Sequence, residues 1–126
     1  MDSTFTQQIT ITPEMTAAQV GSGLMEVYAT PMVVAFMENT ACRLLETLEG
    51  DDHIAAEDTT VGVHIDVQHV KASPVGEQVT CTATLTAHES RRYMFSMVVT
   101  NAKGDTLATA THERVRVNRN RFMSKL

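Results

Sequence analysis

The sequence predicts an α+β domain in which one curved antiparallel sheet wraps around a single long helix. Three observations favour this class. One apolar segment with helical start and stop signals spans residues 30–50. After it, polar and apolar residues alternate with a period of two over four successive segments joined by short turns. A β-rich segment, TFTQQITIT, precedes the helix.

The first strand is predicted over residues 4–12, because this segment is β-rich and ends at Pro13. Residues 14–23 include QVGSG and predict an irregular stretch or a single helical turn. Residues 24–29 predict a short strand or an extended approach to the long helix.

The long helix has clear end signals. Thr30 is a suitable N-cap and Pro31 suits the first helical position, while Gly50 is typical of the residue after a helix. Residues 31–42 are nearly all apolar or small, whereas residues 43–49 are amphipathic. We therefore expect the first half of the helix to be buried and the second half to be partly solvated.

Four strands are predicted after the polar loop at residues 51–60, over residues 61–70, 77–88, 93–101 and 106–117. In the first of these, alternation places five side chains on one face: Val61, Val63, Ile65, Val67 and His69. The basic tail from Asn118 is expected to fray.

Composition narrows the classes of function. The chain has 126 residues, of which 43% are hydrophobic and 20% charged, so we expect one globular domain over residues 1–126. A formal charge of −5 argues against nucleic acid as the main partner. The sequence has no apolar run of the roughly 18–20 residues that span a bilayer and no visible signal peptide, so we expect no membrane partner and a cytoplasmic location.

The two cysteines, Cys42 in the helix and Cys81 in a strand, are expected to be reduced, buried thiols. A catalytic cysteine is the alternative, without local support. The sequence shows no zinc pattern, and no metal or cofactor is expected.

Glu38 is the unusual residue of the helix. Its neighbours three and four positions away are Val34, Ala35, Ala41 and Cys42, which are all apolar or small. No helical neighbour can neutralise the carboxylate, so a partner must come from another element. Glu38 is then either a structural carboxylate, bonded to backbone or placed at an oligomer seam, or a catalytic one.

Two other positions also allow two readings. Thr30 is explained as an N-cap, but the first-turn N–H groups beside it could also stabilise an oxyanion. His69 is either a satisfied core histidine or a site residue at a strand end next to a Pro/Gly break. The run from His112 to Arg114 is interpreted as a solvated or interfacial face, with alternation directing Glu113 away from the other two.

One apolar helix that needs cover on more than one side suits the hot-dog fold, in which a sheet wraps around a central helix. A single copy leaves a strand edge exposed and favours a dimer, with a tetramer as a further possibility. Three segments resemble the fluoroacetyl-CoA thioesterase-like branch of the hot-dog superfamily: YATPMVVAFMENTA, VQHVKASPVGEQV and ATHERV. The similarity extends over roughly residues 9 to 120.

The resemblance implies an active site formed by Thr30, Glu38 and His69 at a subunit interface. The implied reaction is hydrolysis of an acyl-CoA to a carboxylic acid and CoA, with CoA entering only as part of the substrate. Glu38 would be the nucleophile or the general base, His69 would polarise the carbonyl or protonate the thiolate, and Thr30 would orient the thioester. A pairing of Glu38 with His69 of a second subunit is expected.

Side chains around these three are expected to bind the substrate. Tyr28, Met32 and Phe36 would line an apolar acyl pocket, whereas Lys71, Arg91 and Arg114 are candidates for the CoA phosphates. The sequence does not indicate which acyl group is bound, and the resemblance is not taken to imply specificity for fluoroacetyl-CoA. A hot-dog enoyl-CoA hydratase or dehydratase and a non-catalytic acyl-CoA or small-ligand binding module are the alternative functions.

Overall fold

A computed structural model describes residues 3–126. The strands are β1 (Ser3–Thr10), β2 (Asp58–His69), β3 (Gln78–Glu89), β4 (Arg92–Asn101) and β5 (Thr106–Asn118). The α-helices are α1 (Ala17–Val20), α2 (Thr30–Glu46) and α3 (Arg119–Ser124), and 3-10 turns lie at Pro13–Met15 and Gly50–Asp52. The predicted strand, helix and four-strand order is therefore confirmed.

The five strands form one antiparallel sheet with the order β1-β3-β4-β5-β2. Its concave face packs against α2, whose fully buried side chains include Val33, Met37 and Leu44. They meet inward-facing residues of the central strands, such as Phe95 and Val99. The sheet leaves two edge strands, β1 and β2, which pair on one side only.

Both ends of α2 differ from the prediction. The N-cap is Ala29, whose carbonyl oxygen accepts from the N–H groups of Met32 and Val33, so Thr30 is the first helical residue. The helix ends at Glu46 rather than near Gly50, because the Thr47 hydroxyl and N–H both donate to the carbonyl oxygen of Leu44. The last carbonyls are thus satisfied before the glycine is reached.

The C-terminal tail also differs from the prediction. Residues expected to fray form α3, and the side chain of Asn118 caps this helix by accepting from the Arg121 N–H. The expectation of fraying rested on the basic composition of the tail and did not include a cap at Asn118.

The prediction for β2 is wrong in its first half because the strand contains a bulge. Gly62 pairs with Arg114 and His64 with Glu113, so Val63 is the extra residue. A bulge reverses the faces before it, because two residues on one strand then oppose one on the other. Val63 is 54% exposed, and Gly62 instead takes the inner face.

Candidate active site

Thr30 and His69 form a pair at the N-terminus of α2. Because Thr30 does not cap the helix, its hydroxyl is available, and Oγ1 lies 2.7 Å from His69 Nδ1. His69 is the last residue of β2 and reaches the start of α2 from the concave face of the sheet. The sequence thus predicted two residues that the structure brings into direct contact.

His69 is held as a neutral base. Its Nε2 atom is buried and makes no hydrogen bond within residues 3–126. Burial lowers the pKa of His69, and the nearby backbone of Lys71 partly opposes this shift. A neutral imidazole hydrogen-bonded to a hydroxyl is a group that can accept or return a proton near neutral pH.

Backbone donors are few at this helix end. Pro31 has no N–H, and the Met32 N–H donates to the carbonyl oxygen of Ala29. The Thr30 N–H has no hydrogen-bond partner within the described part of the chain. This N–H stands at the positive end of a 17-residue helix, where partial negative charge is stabilised.

A cavity of about 260 Å³ opens beside the Thr30–His69 pair. Tyr28 and Lys71 are among the residues that line it. The Tyr28 side chain is buried, whereas the Lys71 side chain is half exposed and its Nζ donates to Asp105 Oδ2 at 2.7 Å. A cation therefore stands at the rim of this cavity.

Glu38 lies at a second centre, on the same helix. Its side chain is 40% exposed, and Oε2 accepts from Arg114 Nη1 at 3.3 Å. The prediction that its partner comes from another element is confirmed, but the partner is an arginine of β5. Of the two alternatives for residues 112–114, a solvated face is wrong for His112 and Arg114, which are only 1% and 7% exposed within one chain, while an interfacial face stays a prediction.

Strand alternation explains this arrangement. His112 and Arg114 share the inner face, while Glu113 faces the other way and pairs with Arg92, as the alternation predicted. The signal that could have identified Arg114 was therefore present: a cation on the inner face of a strand, in a chain whose central helix carries an unpaired carboxylate.

Gly62 makes the room that this centre needs. A Cβ atom at this position would lie 2.6 Å from Glu38 Oε2, 3.2 Å from His112 Cε1 and 3.3 Å from Arg114 Nη1. The bulge at Val63 is what turns Gly62 toward the helix. The alternation pattern did not predict that Gly62 faces the helix, because the sequence of a single strand does not reliably show a bulge.

Arg114 is held on the side opposite Glu38 by Thr60. Nε donates to Thr60 Oγ1 at 2.9 Å and Nη2 to the Thr60 carbonyl oxygen at 3.1 Å. Arg114 was expected at the pocket mouth as a ligand for CoA phosphates. It is instead buried and engaged with protein acceptors, so this expectation does not fit the structure.

The two centres are separate within one chain. Eight residues divide Thr30 from Glu38 on α2, which corresponds to a rise of about 12 Å and a rotation of about 80°. Glu38 lies beside Gly62, near the start of β2, whereas His69 ends the same strand.

The remaining predicted pocket residues lie in different places. Phe36 packs into the core, Met32 is half buried against it, and Arg91 is exposed on the hairpin between β3 and β4. Tyr28 is the one of the three apolar candidates that lines the cavity beside Thr30.

The cysteines have no features of nucleophiles. Both are free thiols, and burial raises the pKa of Cys42 and that of Cys81, the latter to about 11. Cys42 lines another cavity of about 250 Å³ beyond Glu38. Among residues 3–126, no group of three or more His, Cys, Asp or Glu side chains could hold a metal ion. In the same range, no helix has the length and apolar character that a membrane crossing requires.

Comparison with known proteins gives a consistent result. Residues 11–120 match the FlK family, described as fluoroacetyl-CoA-specific thioesterase. A fluoroacetyl-CoA thioesterase of Streptantibioticus cattleyicolor is 30% identical over 101 residues, which are 80% of this chain and 68% of the relative.

Solved structures agree with this match. A crystal structure of a mutant of the fluoroacetyl-CoA-specific thioesterase FlK in complex with fluoroacetate and CoA has a TM-score of 0.84 and 26% identity, covering 94% of this chain and 95% of the other. A Thermus thermophilus protein described as a thioesterase superfamily member has a TM-score of 0.82 and 22% identity, covering 96% and 85% of the two chains, and shows the fold. The chain therefore belongs to the fluoroacetyl-CoA-specific thioesterase family and has its hot-dog fold.

Proposed function

We propose that the protein hydrolyses a small or medium acyl-CoA thioester at a site that two subunits complete. Hydrolysis of an acyl-CoA thioester is the chemistry of its family. The acyl range is an expectation from the resemblance. The two-subunit site is inferred from the geometry, and the observation that carries it is the separation of the Thr30–His69 pair from Glu38 along α2.

A single chain does not bring all three side chains to one thioester. A carbonyl held by Thr30 and His69 would lie about two helical turns from the Glu38 position, farther than the roughly 3 Å over which a nucleophile or base acts. A second copy can supply the missing carboxylate.

The edge strand β2 suggests how the copies meet. Its outer edge is unpaired, and pairing it with the same strand of a second copy would give a two-fold, antiparallel contact. In such a pair the His69 end of one strand lies beside the Asp58–Gly62 end of the other. Because Glu38 packs against Gly62, this arrangement brings it toward the partner's His69.

The chemistry divides between the two centres. The Thr30 N–H would donate to the thioester carbonyl and stabilise the oxyanion, and a second donor would come from one member of the Thr30–His69 pair. This donor is either the Thr30 hydroxyl, when His69 Nδ1–H donates to it, or His69 Nε2–H, when the hydroxyl donates to Nδ1. Glu38 would take a proton from water as the water oxygen attacks the carbonyl carbon. The C–S bond then breaks, the thiolate leaves with the electron pair, and the protonated Glu38 gives the proton it took from water to the thiolate, directly or through His69.

A covalent route uses the same groups. Glu38 would attack the carbonyl carbon and expel the thiolate, giving an anhydride that water then hydrolyses. Both routes need the Glu38 carboxylate to be held in one orientation, which its contact with Arg114 supports. They differ only in whether an acyl group becomes attached to Glu38.

Lys71 and Arg91 are proposed to contact the CoA phosphates. Lys71 stands at the rim of the cavity beside Thr30. Arg91 is exposed at the end of the sheet where Arg116 and Asp58 pair, which is the end that would face the partner's His69. Tyr28 and Met32 would contribute apolar surface near the acyl group.

Thioester hydrolysis is tested with a panel of acyl-CoA substrates, from fluoroacetyl-CoA and acetyl-CoA to medium-chain acyl-CoA, by detecting the free thiol. We expect turnover of at least one of them and a loss of about 100-fold or more in kcat for Glu38→Gln. Glu46→Gln is the matched control, because Glu46 is an exposed carboxylate of the same helix and, among residues 3–126, forms an ion pair only with Arg43. Absence of turnover on the whole panel, or full activity of Glu38→Gln, would contradict the proposal.

A further inference from the structure

We propose that His112 is a positioning residue, whose Nε2 lone pair fixes the Arg114 guanidinium so that Arg114 holds Glu38 in its working position. This inference rests on the proposed function of Glu38. His112 itself touches neither Thr30 nor the cavity beside it.

The tautomer of His112 follows from its contacts. Nδ1 lies 2.7 Å from the His64 carbonyl oxygen, which can only accept, so Nδ1 carries the hydrogen. In the neutral ring Nε2 is then an acceptor, and it lies 3.2 Å from Arg114 Nη1, which donates to it. The ring is 1% exposed and stacks on Phe95 with centroids 5.9 Å apart, so its orientation is fixed.

The charge state of His112 is consistent with this role. Burial lowers its pKa, and the Arg114 cation acts in the same direction. The Glu38 carboxylate and the bond to the His64 backbone oppose the shift. A protonated ring would place an N–H against the guanidinium and lose the acceptor that Arg114 uses.

His112 acts on Glu38 only through Arg114. His112 Nε2 and Glu38 Oε2 are 3.8 Å apart, and both are acceptors when the ring is neutral, so they do not bond to each other. Arg114 Nη1 has two hydrogens and gives one to each of them.

Glu38 depends on this arrangement. Its side chain is 40% exposed, and its carboxylate has no hydrogen-bond donor other than Arg114 among the described residues. Thr60 fixes Nε and Nη2, and His112 fixes Nη1, the nitrogen that contacts the carboxylate. Because the guanidinium is planar, the Thr60 contacts restrict its orientation, and His112 accepts the Nη1 hydrogen that does not go to Glu38. Without this acceptor a buried N–H of Arg114 has no partner, so we expect the guanidinium to shift and its contact with Glu38 to loosen.

Two substitutions test the hydrogen bonds of the two His112 ring nitrogens separately. His112→Asn keeps a donor near the Nδ1 position, for the His64 carbonyl, but places no acceptor at the Nε2 position. His112→Gln places an amide oxygen near the Nε2 position, where it can accept from Arg114. A merely structural histidine predicts that Asn, which preserves the backbone bond, is the better replacement.

The positioning role predicts the reverse order. With an acyl-CoA that the wild type hydrolyses, we expect kcat to fall about tenfold or more in His112→Asn, and His112→Gln to recover most of it, with KM changed little in both. Lysine has no branched guanidinium group, so in an Arg114→Lys background His112→Asn should reduce kcat little further. Equal losses in both variants, or an undiminished His112→Asn effect in the Arg114→Lys background, would overturn the proposal.

NMR measurements, which do not require turnover, test the role of His112 independently of the proposed function. Nitrogen chemical shifts of the imidazole should show His112 as the neutral ring with hydrogen on Nδ1, and the Arg114 side-chain N–H signals should exchange slowly. We expect these slow signals to be kept in His112→Gln and lost in His112→Asn. A hydrogen on Nε2 in the wild type would overturn the proposal even if the enzyme were active, and the expected spectra in an inactive wild type would contradict only the proposed function.

Discussion

At the scale of single residues, the position of Glu38 requires a glycine beside it, at residue 62. Gly62 lies so close that a Cβ there would be 2.6 Å from Glu38 Oε2. The backbone of Gly62 is not in the left-handed region, so space and not conformation is what the position requires.

Gly62→Ala should therefore lower both activity and stability. The nearest atom is the end of a half-exposed side chain that can move aside, but the buried His112 and Arg114 lie at 3.2 and 3.3 Å and must shift slightly. We therefore expect a loss of about 1–2 kcal/mol in the free energy of unfolding. The displaced carboxylate should lower kcat about tenfold or more. Thr109→Ala, at an exposed position of the interior strand β5, is the control. Wild-type kcat in Gly62→Ala would show that the close approach is not needed.

Thr30, Glu38 and His69 were predicted from the sequence as candidate catalytic residues. The sequence also indicated that Glu38 has no partner on its own helix. It did not identify Arg114 as that partner. The His-Glu-Arg run looked solvated because three consecutive ionisable residues usually are, and only the register of β5 against β2 shows that two of them face the core.

At the scale of elements, β2 and β5 each carry a histidine that burial keeps neutral, His69 and His112. In both, the pKa in the folded chain lies below its ordinary value of 6.5. As pH falls below that value the unfolded chain takes up these protons first, so unfolding becomes more favourable.

We therefore expect stability to decrease as pH is lowered from about 7 to about 5, and the decrease to continue until both folded-state histidines are protonated. Urea unfolding midpoints measured across this range check the sign. His112→Gln cannot titrate and should show a shallower decrease. A midpoint that stays constant or rises toward pH 5 would contradict the assignment of buried, neutral histidines.

Element order and strand positions were predictable because period-two alternation and turn residues are local signals. The bulge in β2 was not, since it is set by pairing with β5 and by the helix that packs above it. That one extra residue decides which side of the sheet Thr60 and Gly62 occupy, and hence whether Arg114 has its second partner.

At the scale of the whole molecule, the chain holds its two candidate centres at different positions along one edge strand. The Thr30–His69 pair lies at the end of β2 and Glu38 near its start. Two-fold pairing of this strand would place the Thr30–His69 pair of each chain beside the Glu38 of the other, giving two equivalent sites per dimer. The sequence predicted the need for a partner from the exposed edge, but the distribution of the residues along β2 required the three-dimensional register.

The most direct test of this account mixes two inactive variants, Glu38→Gln and His69→Ala, under conditions that exchange subunits. In a mixed dimer, the Thr30–His69 pair of the first chain and the Glu38 of the second chain form one intact site. Random exchange makes half of the dimers mixed with one of two sites intact, so we expect about a quarter of the wild-type kcat per subunit. Activity that stays at the level of the separate variants after verified exchange would contradict a site shared between subunits.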